Sequence, residues 1–249
     1  MSSQQDEQII GLIPAAGKGL RLGLPYPKEL YPIIRDNKYK PVAQHVLENM
    51  TASGVRHLVF VINETKHQLM GYFASGERFG CRISYAVQEP MTGPGGGSSG
   101  LAEALDAAYH LTAGSTVAFG MADTIITPAA VFAELAGEDA DVVLGLFPTE
   151  NPEKFGMVDV DENGDVRCIV DKPAGSDLRC MWGCILWRPA FTEHLHEQVA
   201  SPGPTDFATI MNVAIDAGLR IRAVEFEGGG YIDVGTYEEI ASLEEEFRD

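Results

Sequence analysis

The sequence predicts an α/β fold in which helices cover both faces of a mostly parallel sheet. Two observations carry this prediction: continuous apolar runs alternate with segments of helical spacing in the first half, and neither a repeat nor a linker divides the chain. Continuous apolar runs are typical of strands buried on both faces, and helix-linked strands form right-handed parallel units. We therefore expect a Rossmann-like sheet with a small antiparallel subregion in the second half.

The first half of the chain alternates predicted strands with predicted helices. Apolar runs predict strands over residues 8–14, 57–62, 83–87, 116–119 and 142–147. Apolar residues at helical spacing predict helices over residues 41–50, 66–73, 101–111 and 128–135. Pro41 supports the first of these helices, because the fixed φ of proline suits the first helical turn.

The second half begins with a predicted hairpin. Residues 156–160 and 166–170 flank Asn163-Gly164, a dipeptide that is typical of tight turns between antiparallel strands. Further strands are predicted over residues 181–187 and 221–226, and further helices over residues 191–199, 207–217 and 237–247. We interpret residues 1–249 as a single domain with two parts, about 1–140 and about 141–249.

The composition limits the classes of partner. The chain has 249 residues, of which 45% are hydrophobic, and its 18 Lys and Arg against 36 Asp and Glu give a formal net charge of −18. Nucleic acid and anionic membrane surfaces require a basic face, so we expect neither as a partner. The polar, acidic first residues and the lack of an apolar run of membrane-spanning length predict a soluble, cytoplasmic protein. Assembly into a homo-oligomer stays open.

The net charge is unevenly distributed along the chain. Residues 1–60 hold 7 basic and 5 acidic side chains, a net of +2, whereas residues 61–249 hold 11 basic and 31 acidic ones, a net of −20. Six of the early basic residues lie between Lys18 and Lys40, beside a glycine-rich segment. This distribution predicts a local anion site inside an acidic protein.

The glycine-rich segment follows the first predicted strand. Gly17 and Gly19 let backbone N–H groups approach a phosphate, and Arg21 and Lys28 supply charged hydrogen-bond donors to it. The glycine spacing matches neither the dinucleotide fingerprint nor the Walker loop. Taken alone, the segment is also compatible with an ordinary strand-to-helix turn whose basic side chains are solvated.

Seven further motifs follow this segment in a fixed order. They are Pro41-Val42, Gln88-Glu89-Pro90, Gly100-Leu101-Ala102, Gly120 with Asp123, Phe155-Gly156-Met157-Val158, Asp171-Lys172-Pro173 and Asp233-Val234-Gly235-Thr236. With the glycine-rich loop, this order resembles the sugar-1-phosphate nucleotidyltransferases of the glucose-1-phosphate thymidylyltransferase and uridylyltransferase type. The similarity covers nearly the whole chain.

The resemblance implies a nucleotide site in residues 1–140. The loop would wrap the triphosphate of an NTP, with Arg21 and Lys28 as the catalytic cations that neutralise charge on the phosphates. The residues implied to bind the nucleotide are Ala15, Ala16, Gly17, Lys18, Gly19, Gln88 and Gly100. Within this set, Gln88 would pair with the edge of the base and Gly100 would let the base approach the backbone.

The resemblance also implies a metal ion and a phosphorylated small-molecule acceptor. Asp123 and Asp233 match the two family aspartates that bind Mg²⁺, an ion that prefers carboxylates together with phosphate oxygens. Gly156, Asp171 and Lys172 would bind the acceptor in an antiparallel sugar-binding subregion within residues 141–249. The implied reaction transfers a nucleotidyl group from dTTP or UTP to a sugar 1-phosphate by in-line displacement, giving an NDP-sugar and pyrophosphate.

Two other functions stay open at this point. One is a cytidylyltransferase that acts on a non-sugar phosphate or phosphonate, and the other is a non-catalytic nucleotide-binding regulator. Single residues also have simpler interpretations: Asp233 could cap the last helix, and Asp171 with Lys172 could be a solvated pair beside the hairpin. Trp182 and Trp187 fall on opposite phases of a strand, which predicts one in the core and the other beside the acceptor.

Overall fold

The computed structural model describes residues 8–17, 19, 22–35, 38–89, 100–201 and 206–246. In the first half, the described strands are Ile9–Pro14 (β1), Pro32–Arg35 (β2), Lys38–Pro41 (β3), His57–Ile62 (β4), Arg82–Val87 (β5), Thr116–Gly120 (β6) and Thr124–Thr127 (β7). In the second half they are Val142–Pro148 (β8), Gly156–Val160 (β9), Val166–Asp171 (β10), Cys180–Trp187 (β11), Ile221–Glu225 (β12) and Gly230–Asp233 (β13).

The α-helices of the described residues lie between these strands. They are Val42–Ala52 (α1), His67–Phe73 (α2), Leu101–Asp106 (α3), Tyr109–Thr112 (α4), Val131–Ala136 (α5), Pro189–Ala200 (α6), Phe207–Asp216 (α7) and Tyr237–Glu246 (α8). Short 3₁₀ turns occupy Lys28–Leu30, Glu77–Phe79 and Pro152–Lys154. None of the described helices combines the length and the apolar character that crossing a bilayer requires.

The main sheet confirms the predicted fold class. Its order is β10-β9-β11-β6-β1-β4-β5, with β8 on β11 and β12 on β8. The pairs of β1 with β4 and β6, of β4 with β5 and of β8 with β12 are parallel, and the pairs along β11 and between β9 and β10 are antiparallel. Seven of the nine strands in this sheet of described residues therefore run in one direction, opposed by β10 and β11.

Helices cover both faces of the sheet because its strands are apolar on both sides. Along β1, Leu12 packs into one core and Ile13 into another. The core on one side includes Leu105 of α3, Phe191 of α6 and Ile210 of α7. The core on the other side includes Val46 of α1, Leu69 of α2 and Phe132 of α5. The polar loops at the strand ends are consequently the places where a ligand can bind.

Some elements differ from the sequence-based expectation. The helix predicted over residues 101–111 is divided into α3 and α4, because the Ala108 amide donates to the carbonyl of Leu105, three residues back, and interrupts the helical pattern. Helix α5 begins at Val131, three residues later than the prediction of 128. The pattern also missed the β2–β3 hairpin and strands β7 and β13, each only four residues long.

A separate two-stranded sheet lies beside the main one. Strand β13 pairs antiparallel with β7, with Asp233 opposite Thr124. A third, smaller apolar cluster supports it and includes Leu22, Val42, Ile125, Val234 and Ile240. This cluster joins the end of the glycine-rich segment to α1 and α8, so it positions the small sheet beside the first strand's loop.

Candidate active site

The glycine-rich loop follows the carboxyl end of β1. The Ala15 amide donates to the Val61 carbonyl at 2.7 Å, and the Ala16 carbonyl accepts from Nδ2 of Asn63 at 2.6 Å. Gly17 is exposed, and Gly19 has a φ of 61°, a left-handed conformation that favours glycine. Hydrogen bonds to β4 and to the turn after it thus hold the start of the loop. The predicted residues Lys18 and Arg21 lie outside the described part of the chain.

Lys28 stands beside this loop and contacts Asp123. Its Nζ donates to Oδ2 of Asp123, and a Cβ added to Gly19 would lie 3.8 Å from Cγ of Lys28. Burial lowers the pKa of Lys28, but the charge and hydrogen bond of Asp123, with smaller contributions from Glu29 and Asp233, outweigh it. The pKa of Lys28 therefore lies above its ordinary value of 10.5. Lys28 is a cation throughout the neutral range.

The small sheet brings Asp123 and Asp233 together, although they are far apart in sequence. The Val234 amide donates to the Asp123 carbonyl at 2.8 Å, next to the pairing of Asp233 with Thr124. Thr236 caps α8, because its Oγ1 accepts from the Glu239 amide at 3.2 Å. The cap position at α8 is thus held by Thr236, and the Asp233 side chain is not needed there.

The pair of aspartates fits a magnesium ion that is completed by substrate phosphate. Among the described residues, no group of three or more His, Cys, Asp or Glu side chains could hold a metal by itself. Magnesium is commonly bound by one or two carboxylates plus phosphate oxygens and water. Asp123, directly before β7, and Asp233, at the end of β13, lie beside a phosphate-type loop and supply two carboxylates of that donor set.

A buried ion pair behind Lys28 was not predicted from the sequence. Nζ of Lys66 lies 2.5 Å from Oε1 of Glu29, and the two side chains are 5% and 2% exposed. Burial raises the pKa of Glu29 despite the opposing charge of Lys66, and burial lowers the pKa of Lys66 despite Glu29. The only sequence signal was an acidic residue directly after Lys28 in a short turn.

A cavity of about 400 Å³ opens next to the aspartates. Met121 and Tyr231, each two residues from one of the aspartates, form part of its wall. The remaining lining residues are Gly100, Leu101, Glu103, Lys154, Phe155, Gly156, Asp171, Lys172, Trp182, Asp206, Phe207 and Ala208. The structure therefore brings all three predicted acceptor residues, and Gly100, to one cavity.

Gly156 permits the close approach of an aromatic wall. A Cβ at this position would lie 2.2 Å from Nε1 of Trp182, so a larger residue would displace the indole. Trp187 is buried in the core, as one of the two tryptophans was predicted to be, and Trp182 lines the cavity. Both rings contact Phe119, however, so the predicted opposite phases are wrong: a register shift between Trp182 and Cys184 changes the alternation.

Lys172 has a left-handed backbone conformation, which is unusual for a residue other than glycine. Its φ is 47°, and its amide donates to the Phe155 carbonyl at 2.9 Å. Left-handed backbone at a residue other than glycine is strained and concentrates at functional sites. Nζ of Lys172 lies 3.7 Å from Oδ2 of Asp171, and both side chains are exposed. Lys172 is thus held by its backbone while its ammonium group stays accessible.

Comparison with protein families identifies the family of this chain. The family model described as "Nucleotidyl transferase" matches residues 10–249. The chain belongs to the nucleotidyl transferase family. The resemblance inferred from the ordered motifs is confirmed at this level, and the aspartates, Lys28 and the cavity all lie within the matched region.

Curated relatives of this chain carry related names. The low-salt glycan biosynthesis nucleotidyltransferase Agl11 of Haloferax volcanii is 25% identical over 92% of this chain and 63% of its own length. The UTP–glucose-1-phosphate uridylyltransferase of Synechocystis is 26% identical over 90% of this chain and 59% of its own. The chain therefore spans about three fifths of the length of these relatives.

A solved structure shares the fold of this chain. A Bacillus anthracis protein, described as a glucose-1-phosphate thymidylyltransferase in complex with sucrose, superposes with a TM-score of 0.80 at 20% identity. The match covers 97% of this chain and 96% of that one. At this identity the similarity shows the fold, with the mostly parallel sheet described above.

The two residues expected to read the base, Gln88 and Gly100, flank a part of the chain that lies outside the described residues. Gln88 follows β5, and its backbone N–H donates to the Ile62 carbonyl at 2.8 Å. Its Nε2 is buried with no hydrogen-bond partner among the described residues. Gly100 precedes α3, and residues 90–99, with most of the glycine-rich stretch Gly93–Gly100, lie outside the described ranges.

A larger groove lies at the other end of the sheet. It has a volume of about 1420 Å³ and is lined by residues at the amino ends of β1, β4 and β5, among them Ile9, His57 and Arg82. None of the predicted site residues lines it. The chemistry is better placed at the carboxyl ends of the parallel strands, where α/β sheets bind their ligands.

Proposed function

We propose that this chain transfers a nucleotidyl group from an NTP, dTTP or UTP, to a sugar 1-phosphate and releases pyrophosphate. One observation carries the proposal: Lys28, Asp123 and the Asp233 strand meet beside the glycine-rich loop, and Met121 and Tyr231, each two residues from one of these aspartates, line the cavity that holds Lys172. A phosphate-binding end and an acceptor-binding end therefore adjoin. This adjacency is what the joining of two phosphorylated substrates requires.

The proposed reaction is a single in-line displacement. A phosphate oxygen of the acceptor attacks the α-phosphorus, the bond to the bridging oxygen breaks, and that electron pair leaves with pyrophosphate. Backbone N–H groups near Gly17 and Gly19 would contact the triphosphate, and the Lys28 ammonium would neutralise the charge that develops on it. No protein nucleophile is needed, because positioning and charge neutralisation supply the catalysis.

Asp123 and Asp233 are the residues that would hold Mg²⁺. When bound, the ion supplies divalent positive charge between the carboxylates and the phosphates. Asp123 would then contact both Mg²⁺ and Lys28, since Nζ of Lys28 already donates to Oδ2 of Asp123. The Lys28 contact would orient the Asp123 carboxylate toward the nucleotide end of the site.

The acceptor residues would divide the work along the cavity. The accessible ammonium of Lys172 would bind the acceptor phosphate, and Asp171 would accept hydrogen bonds from sugar hydroxyls. The Trp182 ring beside Gly156 offers an apolar face against which a pyranose can pack. The side-chain amide of Gln88, whose Nε2 is buried without a hydrogen-bond partner among the described residues, would pair with the edge of a pyrimidine base.

Pyrophosphate release tests the proposal. The protein is incubated with Mg²⁺, each of the common NTPs and a panel of hexose 1-phosphates, and released pyrophosphate is measured by a coupled enzymatic assay. We expect turnover with dTTP or UTP and at least one hexose 1-phosphate. NTP binding without pyrophosphate release across the panel, unchanged by Asp123→Asn, would instead support a non-catalytic regulator.

The lining of the cavity favours one second candidate. Its aromatic side chains, together with carboxylates, could also enclose a quaternary ammonium group through cation–π contacts. The residues concerned are Phe155, Asp171, Trp182, Asp206, Phe207 and Tyr231. This reading predicts cytidylyl transfer to phosphocholine, so CTP with phosphocholine belongs in the same panel. Pyrophosphate release for that pair, with silence for all sugar phosphates, would decide for it.

A further inference from the structure

We propose that Glu29 and Lys66 are positioning residues that hold Lys28 at the nucleotide end of the site. The inference rests on the proposed function, since it assigns Lys28 to the triphosphate. Neither residue touches substrate in this proposal; both act through the short turn that presents Lys28.

The turn has few backbone hydrogen bonds within itself. It comprises Lys28–Leu30, and its backbone bonds run from the Leu30 amide to Pro27 and from the Tyr31 amide to Lys28, both at 2.9 Å. Lys28 and Glu29 are adjacent, yet their side chains have different partners: Lys28 reaches Asp123 and Glu29 reaches Lys66. Anchoring the Glu29 side chain in the interior therefore sets the direction in which Lys28 points.

The anchor belongs to the same segment that holds the glycine-rich loop. Residues 63–66 follow β4, and Nδ2 of Asn63 donates to the Ala16 carbonyl at 2.6 Å. Three residues later, Nζ of Lys66 lies 2.5 Å from Oε1 of Glu29. One turn after β4 thus contacts both parts of the nucleotide end, the loop through Asn63 and the Lys28 turn through Lys66.

Burial makes this ion pair an unfavourable choice for stability alone. Burial raises the pKa of Glu29 and lowers the pKa of Lys66, which shows that the interior disfavours both charges. Apolar residues of similar volume commonly replace buried ion pairs without loss of stability. A directional contact, unlike apolar packing, fixes the rotation of the turn. The charges also alternate in sign toward the proposed triphosphate site, in the order Lys66, Glu29, Lys28 and Asp123.

A double-mutant cycle tests the proposal. The double variant Glu29→Gln/Lys66→Met removes both charges together, so that neither is left buried alone, and it is measured with and without Lys28→Ala. In the wild-type background we expect kcat to fall about 10- to 100-fold, because a misplaced catalytic group costs that much. In the Lys28→Ala background we expect the same double variant to lower kcat by less than about twofold. Equal losses in both backgrounds would overturn the positioning role.

The chain offers a matched control pair. Lys40 and Glu48 also lie 2.5 Å apart, but they are surface residues on β3 and α1. We expect Lys40→Met/Glu48→Gln to leave kcat within about twofold of wild type, because exposed pairs contribute little. An equal fall in kcat for both pairs would show a general effect of lost ion pairs and would overturn the proposal.

A second readout separates this inference from the proposed function. Amide hydrogen exchange of residues 28–31 is compared between wild type and the Glu29→Gln/Lys66→Met variant, which requires no turnover. We expect faster exchange in that turn, with the protection of β1 and β4 retained. Unchanged exchange would overturn the positioning role, whereas a wild type that releases no pyrophosphate would overturn only the proposed function.

Discussion

The two ends of the site hold their charges differently. At the nucleotide end, the side chains of Lys28 and Asp123 are 15% and 13% exposed and contact each other directly. At the acceptor end, Lys172 and Asp171 are 60% and 46% exposed and lie 3.7 Å apart. Partly buried charges in direct contact are restricted in geometry, whereas exposed charges can adapt to what binds them. For the proposed function, the comparison indicates a preorganised nucleotide end and an adaptable acceptor end.

The surrounding structure differs in the same sense. The nucleotide end is built on buried parallel strands and on a small sheet supported by its own apolar cluster. The acceptor end is built on the β9–β10 hairpin and on β11, with aromatic side chains along the wall. A shared reaction centre needs fixed geometry, and substrate choice can vary on the walls around it.

The largest expected effect comes from the aspartates at the nucleotide end. Asp123→Asn or Asp233→Asn should lower kcat about 10²- to 10³-fold, because each removes a charge proposed to hold Mg²⁺ against the phosphates. The measurement is steady-state pyrophosphate release, with circular dichroism to confirm folding. Asp165→Asn, on the hairpin and away from the cavity, is the control. A folded Asp123→Asn variant with wild-type kcat would contradict the metal assignment.

The next effect separates the two lysines. Lys28→Ala should lower kcat about 10- to 100-fold and leave the acceptor KM within about threefold, whereas Lys172→Ala should raise the acceptor KM by about tenfold or more. Initial rates over a matrix of NTP and acceptor concentrations give both constants. Arg167→Ala removes an exposed cation from the same strand as Asp171 and should change neither. An unchanged acceptor KM in Lys172→Ala would refute its role.

A moderate effect is expected from the glycine beneath Trp182. Gly156→Ala places a Cβ 2.2 Å from Nε1 of the indole, so it should destabilise the fold by about 1–3 kcal/mol and raise the acceptor KM. Chemical denaturation measures the stability. Combining it with Trp182→Ala should remove most of the added cost, because the clash disappears.

The glycine control lies in α2. A Cβ at Gly71 meets nothing within 4 Å, and its φ is not left-handed, so Gly71→Ala should be neutral or slightly stabilising. If Gly156→Ala were as well tolerated as Gly71→Ala, the aromatic wall would not be as rigid as the close approach implies.

The smallest effect concerns the pH dependence of stability and the partly buried Lys28 cation. The pKa of Lys28 is raised above 10.5 in the folded protein, so its stabilising contribution is fully present below pH 10.5 and is lost as the pH rises through the folded value. The difference in unfolding free energy between wild type and Lys28→Met should be constant between about pH 8 and 10 and shrink above that range. Urea titrations at each pH measure it. A difference that already declines below pH 9 would contradict the raised pKa.

Much of the main sheet could be predicted because its strands are short, continuous apolar runs. The prediction for β4 matches its observed bounds, and that for β1 begins one residue early. Strands β7 and β13 escaped notice because each has only four residues and is stabilised by a partner about a hundred positions away. Local periodicity contains no information about such pairing.

The candidate site was predictable only where motifs carried it. The resemblance supplied Asp123, Asp233 and Lys172, and the structure brings them to one end of the sheet. The Glu29–Lys66 contact joins residues 37 positions apart, and no local pattern in the sequence links the two. The phase of Trp182 was missed because a bulge in β11 shifts the alternation by one residue.

Strand β13 fixes the spacing between two side chains of the candidate site. Tyr231 of the cavity wall and Asp233 lie two residues apart on it, so their side chains share a face and are separated by about 6.6 Å of backbone. Under the proposed function, the strand fixes the distance between the acceptor cavity and the Asp233 carboxylate that would hold Mg²⁺. A single inserted residue would turn one of the two side chains to the opposite face, whereas substitutions along the wall leave the span unchanged. If the proposed function holds, we expect a change of acceptor to come from side chains of the cavity wall, at a distance that the polypeptide backbone keeps constant.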